Sequence, residues 1–178
     1  KIPLECVWLK KEAWYSDNKI TLMQGITATE LLPKEKTVKL NNGETIQYEH
    51  LLLATGGHAR PWEVKGAAKP GIFRLHNLGH SLALMEAIKT ARQAIVIGSG
   101  LVSFEVCDLL TKSGLKVTVV MKEKYFGQPL FDEETGRLVE QAFEKIGIKI
   151  IRETWVEEVV GEKGVEQALL SNGAFLPG

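Results

Sequence analysis

The sequence has no excess of basic residues. Its 178 residues include 22 Lys and Arg against 22 Asp and Glu, so the formal net charge is +0. Proteins that bind a nucleic-acid backbone or an anionic membrane surface usually carry a basic surplus, because each phosphate contact needs a cation. We therefore expect neither a nucleic acid nor a membrane as a partner.

Cysteine and metal-binding patterns are also scarce. The two cysteines, Cys6 and Cys107, have no C-x-x-C spacing, which argues against a disulfide framework and favours a reducing compartment. His76 and His80 are four residues apart, but no glutamate lies between them in the H-E-x-x-H sense and no third ligand can be identified. We expect no metal site.

Long apolar runs are missing too. No segment approaches the roughly 18 apolar residues of a spanning helix, and the N-terminus lacks a signal-peptide pattern, so we expect a cytoplasmic protein. The composition, 44% apolar and 25% charged, is that of an ordinary globular protein. The sequence starts at Lys1 without a methionine and stops inside a hairpin pattern, which indicates a fragment of a longer protein.

A pattern of short strands occurs twice, at an offset of 130 residues. An N-G turn between alternating apolar runs predicts a hairpin, and each copy predicts a strand followed by a small antiparallel meander. A chance recurrence of short strands is the alternative. The first copy comprises Lys19–Leu22, the segment up to Leu31, Thr37–Leu40 and the turn at Asn42-Gly43, and the second comprises Lys149–Ile151, Val156–Val160, Val165–Leu170 and the turn at Asn172-Gly173.

The first copy continues beyond its turn into a predicted buried strand, Leu51–Ala54, which ends in a glycine turn at Thr55–Gly57. If the repeat is faithful, a further glycine turn belongs about 50 residues before Ile20, upstream of Lys1. We therefore expect two related nucleotide-binding units, each incomplete in this chain.

The middle of the chain predicts a βαβαβ order and hence an α/β fold, a Rossmann-like, doubly wound parallel sheet. An amphipathic helix over residues 77–92 leads into it after a linker over residues 61–71. The strands expected are Ala94–Ile97, Val117–Val120 and Ile148–Ile151. The first helix should bury Val102, Val106, Leu109 and Leu110 and end at Gly114, and the second should follow Asp132 and bury Leu138, Ala142, Phe143 and Ile146.

The stretch Gly98-Ser99-Gly100-Leu101-Val102-Ser103 resembles a G-x-G-x-x-G dinucleotide turn with serine at the third glycine. Gly98 permits the tight turn, and Gly100 lets the backbone approach a diphosphate at the helix N-terminus. Ser103 replaces a glycine whose role is close helix packing, so the phosphate site remains. A turn that only connects two elements is the alternative.

The end of the second strand normally decides the cofactor, because a carboxylate there accepts hydrogen bonds from the ribose 2′-OH and repels a 2′-phosphate. Met121 stands at this position, and Lys122 and Lys124 follow it, which favours NADPH. Glu123 lies between the two lysines, so NADH stays open.

Several stretches together resemble the FAD-dependent pyridine nucleotide-disulfide oxidoreductases, in particular the rubredoxin reductase, NADH oxidase and nitrite reductase flavoprotein branch. The most specific are the strand Leu51–Ala54 with Thr55-Gly56, and the Gly98 turn followed by Glu105. The others are Ala13-Trp14-Tyr15, Pro33–Leu40 with Asn42-Gly43, Gly71-Ile72-Phe73 and Phe131–Glu134. The resemblance covers nearly all of the chain.

The resemblance implies domains and cofactor contacts. Residues 1–60 would form a late part of the first half of an FAD-binding domain, and residues 61–178 an NAD(P)-binding domain without its last strand. Thr55 and Gly56 would pass close to FAD. Glu105 would lie near the nicotinamide and Val156 beside the adenine. The other NAD(P) positions are Gly98, Ser99, Gly100, Leu101, Val102, Met121 and Lys122.

The resemblance also implies an activity for the longer protein: hydride passes from NADH or NADPH to FAD and then to an unknown acceptor, either a small molecule or a small redox protein. The family's redox cysteine has no counterpart here, so no catalytic residue is assigned and the fragment alone should be inactive. A non-catalytic nucleotide-binding or redox-sensing module is the alternative, and a homodimer of the full-length protein remains open.

Overall fold

The structure, a computed structural model, describes residues 7–178, so Cys6 lies outside the described residues. The chain divides into two compact units between Gly56 and Gly57. This division falls within a few residues of the boundary predicted at residue 60. The assignment of the first unit to FAD and of the second to NAD(P) stays a prediction.

The described part of the first unit, residues 7–56, has a short α-helix followed by a three-stranded antiparallel sheet, with a 3-10 turn at Pro33–Glu35. The helix α1 spans Glu12–Asp17. The sheet has the order β1-β2-β3, with β1 at Ala28–Leu32, β2 at Thr37–Leu40 and β3 at Thr45–Gln47. Adjacent strands are antiparallel, as the alternating pattern predicts. The N-G turn that joins β2 to β3 is confirmed.

The second unit combines a parallel sheet with an antiparallel meander. Helix α2 (Leu78–Ala87) comes first, and the βαβαβ order of the sequence prediction follows. The parallel sheet has the order β4-β5-β6 and the meander the order β7-β8-β9. The bounds are β4 Gln93–Ile97, α3 Leu101–Lys112, β5 Lys116–Val120, α4 Glu133–Lys145, β6 Lys149–Ile151, β7 Val156–Val160, β8 Gln167–Leu170 and β9 Phe175–Pro177.

Both faces of the parallel sheet are covered, which explains its continuous apolar strands. Successive residues of a strand point to opposite faces. Val119 accordingly belongs to a core cluster with Phe143 of α4, whereas Val120 belongs to a cluster with Val156 and Leu170 of the meander. The second unit therefore has three layers, with helices, sheet and meander stacked in that order. The predicted α/β fold class is confirmed.

The two meanders are built alike, down to an irregularity in the first strand. The pairing shifts between Ala28 and Glu30 in β1 and between Val156 and Glu158 in β7. Residues of the first strand correspond at an offset of 128, and those of the later strands at 130, since Leu40 matches Leu170. The difference of two residues lies in the connection after the first strand, which spans residues 33–36 in one copy and 161–166 in the other.

Two predicted strands are wrong. Lys19–Leu22 forms no strand, and Lys19 has a left-handed φ of 57°. The segment Leu51–Ala54 is neither a strand nor buried, since Leu52 is 87% exposed. In both cases the described residues contain no neighbouring strand that could take the backbone hydrogen bonds of the segment. Apolar residues alone do not make a strand.

The predicted inner faces of the two crossover helices are only partly right. In α3, Leu110 is buried, Val106 is half-buried, Val102 and Leu109 are exposed, and Cys107 takes the inner position. In α4, Phe143 is buried, whereas Leu138, Ala142 and Ile146 are exposed and Gly136 and Glu140 face inward. Gly136 decides this face, because a Cβ there would stand 2.6 Å from the Phe126 carbonyl oxygen.

The helix predicted over residues 77–92 is shorter than expected. It begins after Asn77, whose side chain accepts a hydrogen bond from the His80 backbone N–H, and it ends at Ala87. The end of α3 agrees with prediction, because Gly114 follows it with a φ of +86°. In the part of the chain that the structure describes, no helix has the length and apolarity needed to cross a membrane.

Candidate functional site

The glycine turn lies where β4 ends and α3 begins. Gly98 has a φ of +99°, which side-chain-bearing residues rarely adopt. Its backbone N–H donates to the Val120 carbonyl oxygen at 2.9 Å, which ties the turn to the end of β5. The Ser103 side-chain oxygen would lie 3.8 Å from a Cβ at Gly98. Backbone conformation rather than space therefore requires glycine here, and the serine fits beneath the turn.

Gly100 leaves the N-terminus of α3 open. It occupies the N-cap position with a φ of −80°, and no side chain caps the helix. A Cβ built on Gly100 would have no atom within 4 Å. The first-turn N–H groups of a helix have no partner inside the helix, and together with the helix dipole they favour an anion. This end of α3 is suited to a phosphate group.

A cavity of about 530 Å³ lies beside the turn, at the carboxyl edge of the parallel sheet. Ligands of open α/β sheets bind at this edge. The cavity brings together three of the residues predicted from the sequence, Gly98, Lys122 and Val156. The remaining lining residues are Trp62, Glu63, Val64, Ile97, Val120, Glu123, Thr154, Trp155 and Glu157.

Other predicted residues do not line this cavity. Met121 is 1% exposed and packs into the core on the helix side of the sheet. Ser99 is 4% exposed, and Glu105 lies on the exposed side of α3. Leu101 and Val102 are both exposed, and Val102 borders a larger groove of about 1050 Å³ along β4. The cofactor contacts of these residues stay predictions.

Thr55 and Gly56, the two residues assigned to FAD, lie at the end of the first unit. Both are exposed and belong to a segment without regular secondary structure. Gly56 has a φ of +68°, and nothing lies within 4 Å of the position a Cβ would take. The backbone at this turn is thus open to close approach by another group, and the FAD contact of Thr55 and Gly56 stays a prediction.

Backbone hydrogen bonds fix the loop that carries Lys122 and Glu123. The Met121 N–H donates to the Ile151 carbonyl at 3.0 Å, and the Thr154 N–H donates to the Met121 carbonyl at 2.9 Å. The Glu153 N–H donates to the Glu123 carbonyl at 3.3 Å. The ends of β5 and β6 therefore hold one another, and they place both side chains at the rim of the cavity.

A buried carboxylate holds the far end of the same loop. Glu140 of α4 is 2% exposed, and it accepts hydrogen bonds from the Phe126 N–H at 2.9 Å, from Arg137 at 3.0 Å and from Arg152 at 2.8 and 3.1 Å. Burial alone would raise the pKa of Glu140. The hydrogen bonds from the two guanidinium groups and from the Phe126 N–H outweigh burial and hold that pKa below its usual value.

The cavity carries more negative than positive side chains. Glu63, Glu123 and Glu157 line it, against Lys122. The Lys122 Nζ lies 5.7 Å from the centre of the Trp155 ring, a cation–π arrangement. The Glu123 Oε2 is buried and has no hydrogen-bond partner among the described residues.

Sequence reasoning missed several of these residues. Trp62 and Trp155 stand out in the sequence only as scattered aromatics, and their shared cavity depends on the chain path. Glu140 lies on a helix among other charged residues, and no sequence signal separates it from them. Glu123 lies between two lysines in the sequence, but the orientation of its side chain is not readable from sequence.

Cys107 is a core residue of the second unit. Its side chain is fully buried in the core between α3 and the sheet. Burial raises the pKa of the Cys107 thiol to about 12, so the thiolate form is scarce at neutral pH. This cysteine fills space in the core.

Comparison with known proteins extends the likeness over nearly the whole chain. The family model described as pyridine nucleotide-disulphide oxidoreductase matches residues 9–176. A nitrite reductase [NAD(P)H] of Bacillus subtilis is 30% identical over 164 residues, which cover 92% of this chain and 20% of that protein. The NADH-rubredoxin oxidoreductase of Clostridium acetobutylicum is 28% identical over 88% of this chain and 41% of that protein.

A solved structure gives the same result. The ferredoxin reductase for the CYP199A2 system of Rhodopseudomonas palustris superimposes with a TM-score of 0.90 at 25% identity, covering 95% of this chain and 42% of that one. The chain thus spans between a fifth and about two fifths of the length of these proteins. All three names describe oxidoreductases.

Proposed function

Because the chain belongs to the pyridine nucleotide-disulphide oxidoreductase family, we propose that it is part of a FAD-dependent NAD(P)H oxidoreductase. In this proposal, residues 61–178 bind the nicotinamide dinucleotide and residues 1–60 contribute to FAD binding. The observation that carries the proposal is the uncapped N-terminus of α3 behind Gly98 and Gly100, beside a cavity at the carboxyl edge of the sheet.

The residues of the turn bind the diphosphate of the dinucleotide. Gly98 sets the direction of the chain and Gly100 leaves room for the phosphate oxygens, which accept hydrogen bonds from the first-turn N–H groups of α3. These first-turn groups belong to Leu101, Val102 and Ser103, and the Ser99 N–H precedes them in the turn. The absence of an acidic residue in this first turn supports the assignment.

The adenosine half lies in the 530 Å³ cavity. Val156 offers an apolar surface to the adenine, and Trp155 adds an aromatic one. Glu105, on the exposed side of α3, lies near the nicotinamide. The nicotinamide and the flavin supply hydride transfer when bound, and the protein's part is binding and orientation.

FAD binding by this chain is partial in this proposal. Thr55 and Gly56 let the backbone approach the flavin cofactor, and the open space at Gly56 supports this role. The FAD diphosphate turn of the family has no counterpart in the sequence. We expect the 178-residue chain to purify without stoichiometric FAD and without NAD(P)H oxidase activity.

The acceptor belongs to a broad class, a small molecule or a small redox protein. Relatives support both, since one is named a nitrite reductase and another a rubredoxin oxidoreductase. No described residue of this chain selects between them.

The test compares the full-length protein with its Gly100→Ala variant. We expect the full-length protein to be yellow and to oxidise NADH or NADPH. A methyl group at Gly100 meets open space in the protein but occupies the place of the phosphate, so Gly100→Ala should weaken nucleotide binding about tenfold or more. Anaerobic calorimetric titration with NADH and NADPH, with the flavin already reduced so that no hydride transfer follows binding, measures the nucleotide affinity of both proteins.

The matched control is Gly79→Ala in α2, where a Cβ would contact only the Asn77 side chain, at 3.4 Å. Nucleotide affinity should be unchanged in this variant. A colourless protein that binds nucleotide without oxidising it would favour the non-catalytic module instead. A protein that binds neither nucleotide would overturn the proposed function altogether.

A further inference from the structure

Glu123 has an unused hydrogen-bond acceptor at the rim of the cavity. Its Oε2 is buried, yet no donor of the described residues reaches it. Buried carboxylate oxygens are almost always satisfied, because leaving one without a donor is costly. The residue also lines the 530 Å³ cavity. A ligand that brings hydroxyl groups to this place would supply the missing donor.

The residue that sequence position would select for this role is turned away. Met121 comes directly after β5, where a carboxylate is expected, but its side chain packs among the core residues on the helix side of the sheet. The alternation of side chains between the two faces of the sheet ends at Met121. Beyond Met121 the backbone is fixed by the pairing between Glu123 and Glu153, and the side chain two residues later lines the cavity.

The charges that line the cavity also favour a ligand with ribose hydroxyls over one with a 2′-phosphate. Three carboxylates, from Glu63, Glu123 and Glu157, line it against the single ammonium of Lys122. That ammonium lies 5.7 Å from the Trp155 ring centre, so it already has an interaction. A doubly charged 2′-phosphate would meet net repulsion here, whereas a neutral ribose diol would not.

We propose that Glu123 accepts hydrogen bonds from the adenosine ribose hydroxyls of the dinucleotide, and that the site therefore selects NADH over NADPH. The proposal rests on the proposed function, since it concerns the same site. It reverses the preference that Lys122 and Lys124 suggest in the sequence. In this arrangement Lys122 packs on Trp155 and contributes little to the choice of cofactor.

The experiment is equilibrium binding of NADH and NADPH by calorimetry to the full-length protein, here called the parent, and to its Glu123→Gln variant. Both proteins are titrated anaerobically with the flavin already reduced, so that no hydride transfer follows binding. The parent should bind NADH at least about tenfold more tightly than NADPH. In Glu123→Gln the charge is lost, so the NADH dissociation constant should rise about tenfold and the ratio of the two constants should approach one. Glu134→Gln removes the same charge from an exposed position outside the cavity, and should keep the parental ratio.

The variant Lys122→Ala distinguishes selection of NADH by Glu123 from binding of a 2′-phosphate by Lys122. Our proposal expects it to keep the preference for NADH, whereas a phosphate-binding lysine would lose NADPH affinity selectively. If the parent binds NADPH as tightly as NADH, or if Glu123→Gln keeps the parental ratio, the assignment of Glu123 is wrong and the proposed function stands. If neither nucleotide binds to the parent, both are overturned. A parent that binds NADPH as tightly as NADH overturns the assignment even if the Glu123 variant does not fold.

Discussion

At the scale of one residue, the sequence position of Met121 does not tell where its side chain points. Its place in the sequence is that of a cofactor-selecting acid, but its side chain is 1% exposed and surrounded by core residues such as Phe126 and Phe143. A carboxylate in that place would be buried among apolar groups without a partner.

We therefore predict that Met121→Glu destabilises the protein without changing the choice between NADH and NADPH. An unpaired charge in the core should lower the free energy of unfolding by about 3 kcal/mol or more. Urea unfolding measures this, and Met121→Leu is the control, with an expected cost below about 1.5 kcal/mol. A stable Met121→Glu protein with a shifted preference for one nucleotide would contradict this placement.

At the scale of the elements, the sequence pattern predicted the order of helices and strands in the second unit better than it predicted which helix faces are buried. The turns at Asn42-Gly43 and Asn172-Gly173, the βαβαβ order and the Gly114 helix end follow from local chemistry, and the structure agrees. The inner faces of α3 and α4 do not follow from local chemistry. Gly136 and Glu140 face inward because of Phe126 and Arg152, which lie elsewhere in the sequence.

The same limit applies to the site. Gly98, Lys122 and Val156 were predicted and share one cavity. The aromatic wall of Trp62 and Trp155 depends on how the linker and the β6–β7 connection come together, which no local pattern encodes. The strands expected at Lys19–Leu22 and Leu51–Ala54 fail for a related reason, because a strand needs a partner as well as apolar residues.

Glu140 links α4 to the loop after β5 and to the end of β6, and its charge should stabilise the protein in a pH-dependent way. Its pKa is lowered on folding by the guanidinium groups and the Phe126 N–H, which outweigh burial. A lowered pKa means that this stabilisation is complete above the unfolded-state value, near the ordinary 4.5, and is lost as pH falls through the folded-state value.

We predict that Glu140→Gln lowers the free energy of unfolding by about 2 kcal/mol at pH 7, because four hydrogen bonds to the charged carboxylate are weakened. The gap from the parent should shrink as the pH falls below about 4.5, where the parental carboxylate also becomes neutral. Urea unfolding between pH 7 and pH 3 measures both. Glu144→Gln, which removes an exposed partner of Arg152, should cost less than about 1 kcal/mol. A gap between parent and Glu140→Gln that is constant over this pH range would exclude a paired carboxylate.

At the scale of the whole molecule, the chain consists of two units that repeat one meander. The boundary between Gly56 and Gly57 follows an exposed apolar segment without regular secondary structure. Leu52 and Leu53 are 87% and 65% exposed. Backbone that is exposed and outside strands and helices is where proteases cut first. The segment predicted as a buried strand is therefore the most accessible apolar stretch near the boundary.

We predict that, apart from trimming before the exposed Leu9 near the N-terminus, thermolysin, which cleaves before large apolar residues, first cuts the 178-residue chain at Leu51, Leu52 or Leu53. The resistant product should run from there to Gly178, because the second unit buries its apolar strands on both faces of the parallel sheet. Mass spectrometry of the early digest identifies the cut, and replacement of the three leucines by serine should slow it at least several-fold. A first cut inside α3 or β5 would mean that the second unit opens more readily than the boundary segment, against the burial of Cys107 and Val119 at its centre.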